Sequence, residues 1–331
     1  MTSPRRLFLH PATGAAALIA ITVSGLALTT ISARSQATRT IKIVVPFAPG
    51  GGADALGRLM ADQIGQVHKL TMVVENRPGA GTLIATEAVS RAAPDGRTVL
   101  MVANSFVINP GLKKLNYDPL TSFEPVCFLT RSPNVVVVNS TSHYRSLGDL
   151  MSAARAKPGE LTMAFQGPGT SQHIAFEKLK RAANIDMGSV PYLGAAPATN
   201  ALLGQHVTSL FVNYPSVAEQ VKAGRLRALA VASRARIESQ PNVPTVAEAG
   251  HKDFEEDVWF GLVVPAKTPK DTVAQLEAWS TAALQAPDVK AKLALQELYP
   301  AGMCGADFAA HLRKQYEDYS RVIREAKITA Q

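Results

Sequence analysis

Few residues in this 331-residue sequence are suited to redox, metal or nucleophilic chemistry. There are two cysteines, Cys127 and Cys304, too far apart to form a C-x-x-C redox or zinc motif. The seven histidines (10, 68, 143, 173, 206, 251 and 311) lack metal-ligand spacing, and no H-E-x-x-H occurs. No metal and no cofactor are therefore expected. A phosphate-binding loop needs Gly-Lys-Ser/Thr after its glycines, whereas Gly50-Gly51-Gly52 runs into Ala53-Asp54, and G-x-G-x-x-G is missing too. The G-x-S-x-G elbow of serine hydrolases is absent. The one catalytic arrangement to weigh is a hydrolase using Thr170 or Ser171 with His173, and no acid is placed to orient that histidine. Aromatic residues make up only 6%, and no basic run interleaves with them, so nucleic acid is not an expected partner. The net charge of +8 is mild. Without the three arginines of residues 1–37, 31 basic side chains stand against 26 acidic ones.

The N-terminus carries an export pattern. Arg5 and Arg6 precede an apolar stretch over 14–31, and Ser35-Gln36-Ala37 gives a small-x-small cleavage site. Residues 1–37 thus read as a signal peptide, with the mature chain starting near Thr38. A retained anchor is the weaker reading, because threonine and serine interrupt a stretch barely long enough to span. Arg5-Arg6-Leu7-Phe8-Leu9 resembles a twin-arginine signal, and the Sec route stays open. No later apolar run reaches membrane length. A periplasmic destination would permit a disulfide. The spacing leaves open whether Cys127 and Cys304 pair, and two small buried thiols are the plainer expectation.

From Thr40 onward, short apolar runs alternate with amphipathic ones. Strands are predicted at 41–45, 71–74, 97–103, 135–138, 161–165, 208–212, 226–232 and 258–264. Helices are predicted between them, one opened by a capping box at Ser146-Leu147-Gly148-Asp149 and one carrying Leu56, Leu59, Met60, Ile64 and Val67 on one face. In a last helix, over 307–325, Phe308, Leu312, Tyr319 and Ile323 share a face. Such alternation predicts an α/β fold with parallel sheets covered on both sides. Two lobes are expected, the last third of the chain rejoining the first.

Three predicted strand-to-helix loops are rich in glycine: Pro46 to Gly52, Arg77 to Thr82, and Gln166 to Ser171. Ligands of open α/β sheets sit where such loops lead into helices. Glycine lets backbone N–H groups approach a guest, and a helix start adds roughly half a positive charge. Together they make an anion cradle that needs no lysine. Three such loops in one chain favour binding over plain turn-making.

These loops carry a resemblance. Val45-Pro46-Phe47-Ala48-Pro49-Gly50-Gly51-Gly52-Ala53-Asp54 resembles the first-loop signature of the Bug receptors, the substrate-binding proteins of tripartite tricarboxylate transporters. Val74 to Gly81, Ala93-Pro94-Asp95-Gly96, Asn116-Tyr117-Asp118-Pro119, Val190-Pro191-Tyr192, Ala223 to Val231, Pro244 to Gly250 and Trp259-Phe260-Gly261-Leu262 match in family order along nearly the whole mature chain. The resemblance implies a periplasmic-binding-protein type II (Venus flytrap) fold with two α/β lobes joined by two crossing strands. The expected lobes are 38–140 plus 253–331, and 141–252. It also implies a monomeric, non-enzymatic periplasmic receptor for a small carboxylate: a di- or tricarboxylate, an aromatic acid or an amino acid. Its partners would be the membrane subunits of a tripartite tricarboxylate transporter, or alternatively a sensor kinase.

Carried onto this chain, the ligand-binding candidates of the first lobe are Phe47, Ala48, Gly51, Gly52, Asp54, Asn104 and Ser105. Those of the second are Gln166, Gly167, Gly169, Thr170, His173, Tyr192, Gly194 and Asn213. Three departures from the family pattern fall near the expected cleft or hinge. Leu193 stands for a lysine, Thr208 for an aspartate, and Ala164-Phe165-Gln166-Gly167 for a Ser-Ala-Gly region.

Overall fold

A computed structural model describes residues 40–329 apart from Ala48, Pro168 and Leu193. The expected signal peptide lies outside the described residues, as does the candidate Ala48. Eleven strands follow in chain order: β1 (Thr40–Val45), β2 (Thr71–Asn76), β3 (Thr98–Ala103), β4 (Phe123–Ser132), β5 (Asn134–Asn139), β6 (Thr162–Phe165), β7 (Gly188–Pro191), β8 (Ser209–Asn213), β9 (Leu226–Val231), β10 (Val258–Pro265) and β11 (Tyr299–Cys304). The helices are α1 (Gly52–His68), α2 (Leu83–Ser90), α3 (Ser105–Leu112), α4 (Leu147–Ala156), α5 (Ser171–Ala183), α6 (Ala195–Leu203), α7 (Ala218–Lys222), α8 (Lys270–Gln285), α9 (Pro287–Leu295) and α10 (Gly305–Glu325).

The strands form two sheets, ordered β11-β4-β10-β3-β1-β2 and β7-β6-β8-β5-β9. Each sheet is the floor of one lobe of an α/β fold. The expectation of parallel sheets is corrected. β10 runs antiparallel to both β3 and β4, and β5 runs antiparallel to β8 and β9, so both sheets are mixed. These are the strands that carry the chain between lobes, and they enter each sheet from its far end. β5 belongs to the second sheet although the sequence reading put residues up to 140 in the first lobe. β10 and β11 belong to the first sheet.

Alternation along each strand explains why both faces are covered. Ile41, Ile43 and Val45 pack in one apolar cluster and Val44 in another, on opposite sides of the first sheet. In β5, Val136 and Val138 face one cluster while Val135 and Val137 face the other, and all four are fully buried. Burying each is worth about 1.5–3 kcal/mol as an upper estimate. On α1, Leu56, Met60 and Ile64 meet the sheet, but Val67 near its end is exposed, unlike the predicted stripe. The capping box of α4 is present in both directions. Phe308, Leu312, Tyr319 and Ile323 of α10 are buried as predicted.

The first crossing is the short step from β4 through Pro133 to β5, where proline has no N–H to continue a ladder. The second passes through Glu256 and Asp257 into β10. Cys127 of β4 is bonded to Cys304 at the end of β11, which corrects the expectation of free thiols.

Candidate functional site

Between the lobes lies a cavity of about 540 Å³. Its first wall is the loop after β1. Asp54 folds that loop back on itself. Its Oδ2 accepts from the Gly50 N–H at 2.9 Å and from Arg58 Nε at 3.1 Å, and its Oδ1 accepts from Asn76 Nδ2 at 2.9 Å. Asn76 Nδ2 also donates to the Phe47 carbonyl. The Arg58 guanidinium, together with these donors, outweighs burial and holds the Asp54 carboxyl below the usual aspartate range. Asp54 itself is buried and does not line the cavity. It shapes the loop whose Phe47, Gly51 and Gly52 do line it. α1 starts at this loop with no side-chain cap, so its first-turn N–H groups have no acceptor within the helix.

The second wall is α3. Ser105, Ile108, Asn109 and Leu112 line the cavity at helical spacing, one face of the helix, and Lys113 follows. Asn104, just before the helix, is buried. Its side chain donates to the Asp257 carbonyl and the Tyr319 hydroxyl, each at 2.9 Å, and accepts from the Trp259 N–H at 3.1 Å. That amide is therefore committed to holding the second crossing. α3 also lacks a side-chain cap. Beside it runs the loop from Gly79 to Thr82, held by a bond from Asn109 Nδ2 to the Gly81 carbonyl at 2.8 Å. Thr82 adopts φ 82°, a region costly for a β-branched residue. Its hydroxyl lies 3.2 Å from that of Ser105.

The third wall comes from the second lobe. Thr170 caps α5, accepting from the His173 N–H at 3.3 Å and donating to the Gly167 carbonyl at 2.9 Å. The ring of His173 stacks on Phe165, and its Nδ1 accepts from the Gly169 N–H at 3.0 Å. Burial pulls the His173 pKa below its ordinary value, which keeps Nδ1 a lone-pair acceptor. Among the described residues, no hydrogen bond joins the hydroxyl of Thr170 or Ser171 to the His173 ring. Thr170 bonds its own turn, the Ser171 hydroxyl donates to Gln172 Oε1, and Nδ1 of His173 is taken.

Of the sequence candidates, the fold brings Phe47, Gly51, Gly52, Asn104, Ser105, Gln166, Gly169, Thr170 and Asn213 to the cavity wall. Asp54, Gly167, His173, Tyr192 and Gly194 are not on it. Gly167 and Tyr192 both donate their N–H to the Phe165 carbonyl, and Gly194 starts α6. Asn213 uses its side-chain amide on the first crossing, donating to the Pro133 carbonyl at 2.9 Å. Of the lining face of α3 the sequence reading found Ser105 and missed Ile108, Asn109 and Leu112. Pro110 within that short helix hid the pattern, although Ile108, Asn109 and Leu112 stand at helical spacing after Ser105. It also missed Gln172 of α5 and Phe260 of β10.

The chain matches a family profile described as tripartite tricarboxylate transporter family receptor over residues 56–328. It is 35% identical to the UPF0065 protein in the tcbD-tcbE intergenic region of Pseudomonas sp. strain P51, covering 92% of this chain and 93% of that one. With Protein BugT of Bordetella pertussis the identity is 32%, over 89% and 91%. Among solved structures, the R. palustris protein Rpa4515 with adipate superimposes with a TM-score of 0.77 at 30% identity, covering 89% of this chain and 99% of that chain.

Proposed function

Because this chain belongs to the tripartite tricarboxylate transporter receptor family, we propose that it is an exported solute-binding receptor whose two lobes close on a small carboxylate. The observation that carries the reading is the composition of the cavity wall. Uncapped starts of α1 and α3 from one lobe and the start of α5 from the other meet there, with no carboxylate side chain between them. Helix starts offer free N–H donors and positive potential, which suit a carboxylate. The lobes hinge at Ser132 to Asn134 and at Glu256 to Asp257. A ligand touching both lobes favours closure by its greater affinity for the closed form. The export pattern of residues 1–37 and the Cys127–Cys304 bond both support a periplasmic address. The loaded receptor then delivers its guest to the membrane subunits of the transporter. The adipate in the R. palustris relative supports a dicarboxylate among the guests.

Charge-assisted hydrogen bonds contribute about 1.5–3 kcal/mol each, so two or three, less the cost of association, give roughly micromolar affinity. Calorimetric titration of the mature chain with a panel of mono-, di- and tricarboxylates should find a micromolar binder, and X-ray scattering should show compaction with it. Silence across the whole panel would sink the receptor reading.

A further inference from the structure

The cavity wall carries one formally charged side chain among the described residues, Lys113. It continues the lining face of α3 at the end opposite Ser105. The eight residues of that helix, at about 1.5 Å each, put the Lys113 backbone about 12 Å from Ser105 along the axis, while its Nζ lies beside Ala80 and Gly81. Its Nζ makes one long hydrogen bond, 3.4 Å to the Ala80 carbonyl, and among the described residues it forms no ion pair. An ammonium has three donors, so two remain for a guest. The floor beneath it is fixed, because Asn109 of the same helix face holds the neighbouring Gly81 carbonyl. The cavity thus has two anion-attracting places: backbone donors at the helix starts and a side-chain cation, rooted at the end of α3 and set beside the Ala80–Gly81 turn. Between them the wall is largely neutral and partly apolar, with Ile108 and Leu112 along it.

We propose that Lys113 is a specificity-determining residue that takes the second anionic group of a dicarboxylate whose first carboxylate sits at the helix starts. The assignment rests on the carboxylate-receptor reading and narrows it to guests with two separated negative ends. A monocarboxylate fills the first end and leaves the ammonium hydrated. A guest whose second charge is too close to the first does not reach it.

The test is titration of the wild type and Lys113→Gln with α,ω-dicarboxylates from succinate to suberate, each beside its monomethyl ester. The wild type should prefer a diacid over its half ester. For a partly exposed charge pair, Lys113→Gln should weaken the preferred diacid about tenfold and the half ester less than about twofold. Lys113→Arg should keep most of the preference. Equal weakening of diacid and half ester, an unchanged diacid affinity, or wild-type binding confined to monocarboxylates would each overturn the assignment while leaving the receptor intact. A wild type that binds no carboxylate at all would remove the receptor reading, and this one with it.

Discussion

Asp257 lies at the second crossing with Ser233 donating to one carboxylate oxygen and Arg131 Nη1 3.3 Å from the other. Burial raises its pKa to about 6, against the opposing pull of Ser233 and Arg131 and with Glu255 adding to the rise. The folded state therefore binds its proton more tightly than the unfolded chain does. Between the ordinary aspartate value of 3.8 and about 6, folding takes up a proton at this position, so stability from this group falls as pH rises through that window. The full effect is about 3 kcal/mol at most. Urea unfolding of wild type and Asp257→Asn across this range should show a steeper loss with rising pH in the wild type. Parallel curves would mean that Asp257 is not the titrating group. Burial of this carboxyl was not legible in the sequence. Asp257 follows two other acids, Glu255 and Glu256, and nothing in that run says which of them the fold encloses.

At the scale of elements, the loop before α5 meets α3 across the cavity. Gly169 sits at φ +70°, and a Cβ built there would run into the Leu112 side chain of the other lobe. Gly169→Ala should therefore cost backbone strain of order 1 kcal/mol in the isolated lobe. Its larger effect should fall on closure, with ligand affinity dropping more than the melting temperature implies. Titration beside thermal unfolding separates the two, and proportionate losses would argue against a closing contact. The elements themselves were largely legible. The valine run of β5, the Ser146–Asp149 cap and the apolar face of α10 all stood in the pattern of residues. β4 did not, because Pro125, Cys127 and Arg131 break its alternation, and α3 was masked by Pro110. Strand direction was invisible too, since a strand buried on both faces reads as a continuous apolar run either way. Glycine content located loops that line the cavity. Which donors those loops leave free depends on Asp54 and His173, whose contacts with Gly50 and Gly169 only the folded chain reveals.

For the whole molecule, the two lobes are joined by more than two backbone crossings. Glu256 is buried at the second crossing, accepting from Lys178 of α5 at 2.7 Å on one side and from the Tyr319 hydroxyl of α10 on the other. Burial alone would lower the Lys178 pKa, but Glu256, with Asp318 and Glu255 adding to it, more than reverses the fall. The first sheet is also stitched covalently, because Cys127 and Cys304 lie 177 residues apart in sequence. Cross-links closing long loops typically contribute about 2–5 kcal/mol by restricting the unfolded chain. Replacing both cysteines by serine should lower unfolding stability by about that amount with ligand affinity little changed, since neither sulfur lines the cavity. A double variant as stable as wild type under oxidising conditions would show that the bond adds nothing.

The same bond makes a covalent ring that holds the entire second lobe as an insertion between β4 and β11. A protease that cuts once in any loop of that lobe leaves the chain in one piece. The fragments part only when a reductant opens the ring.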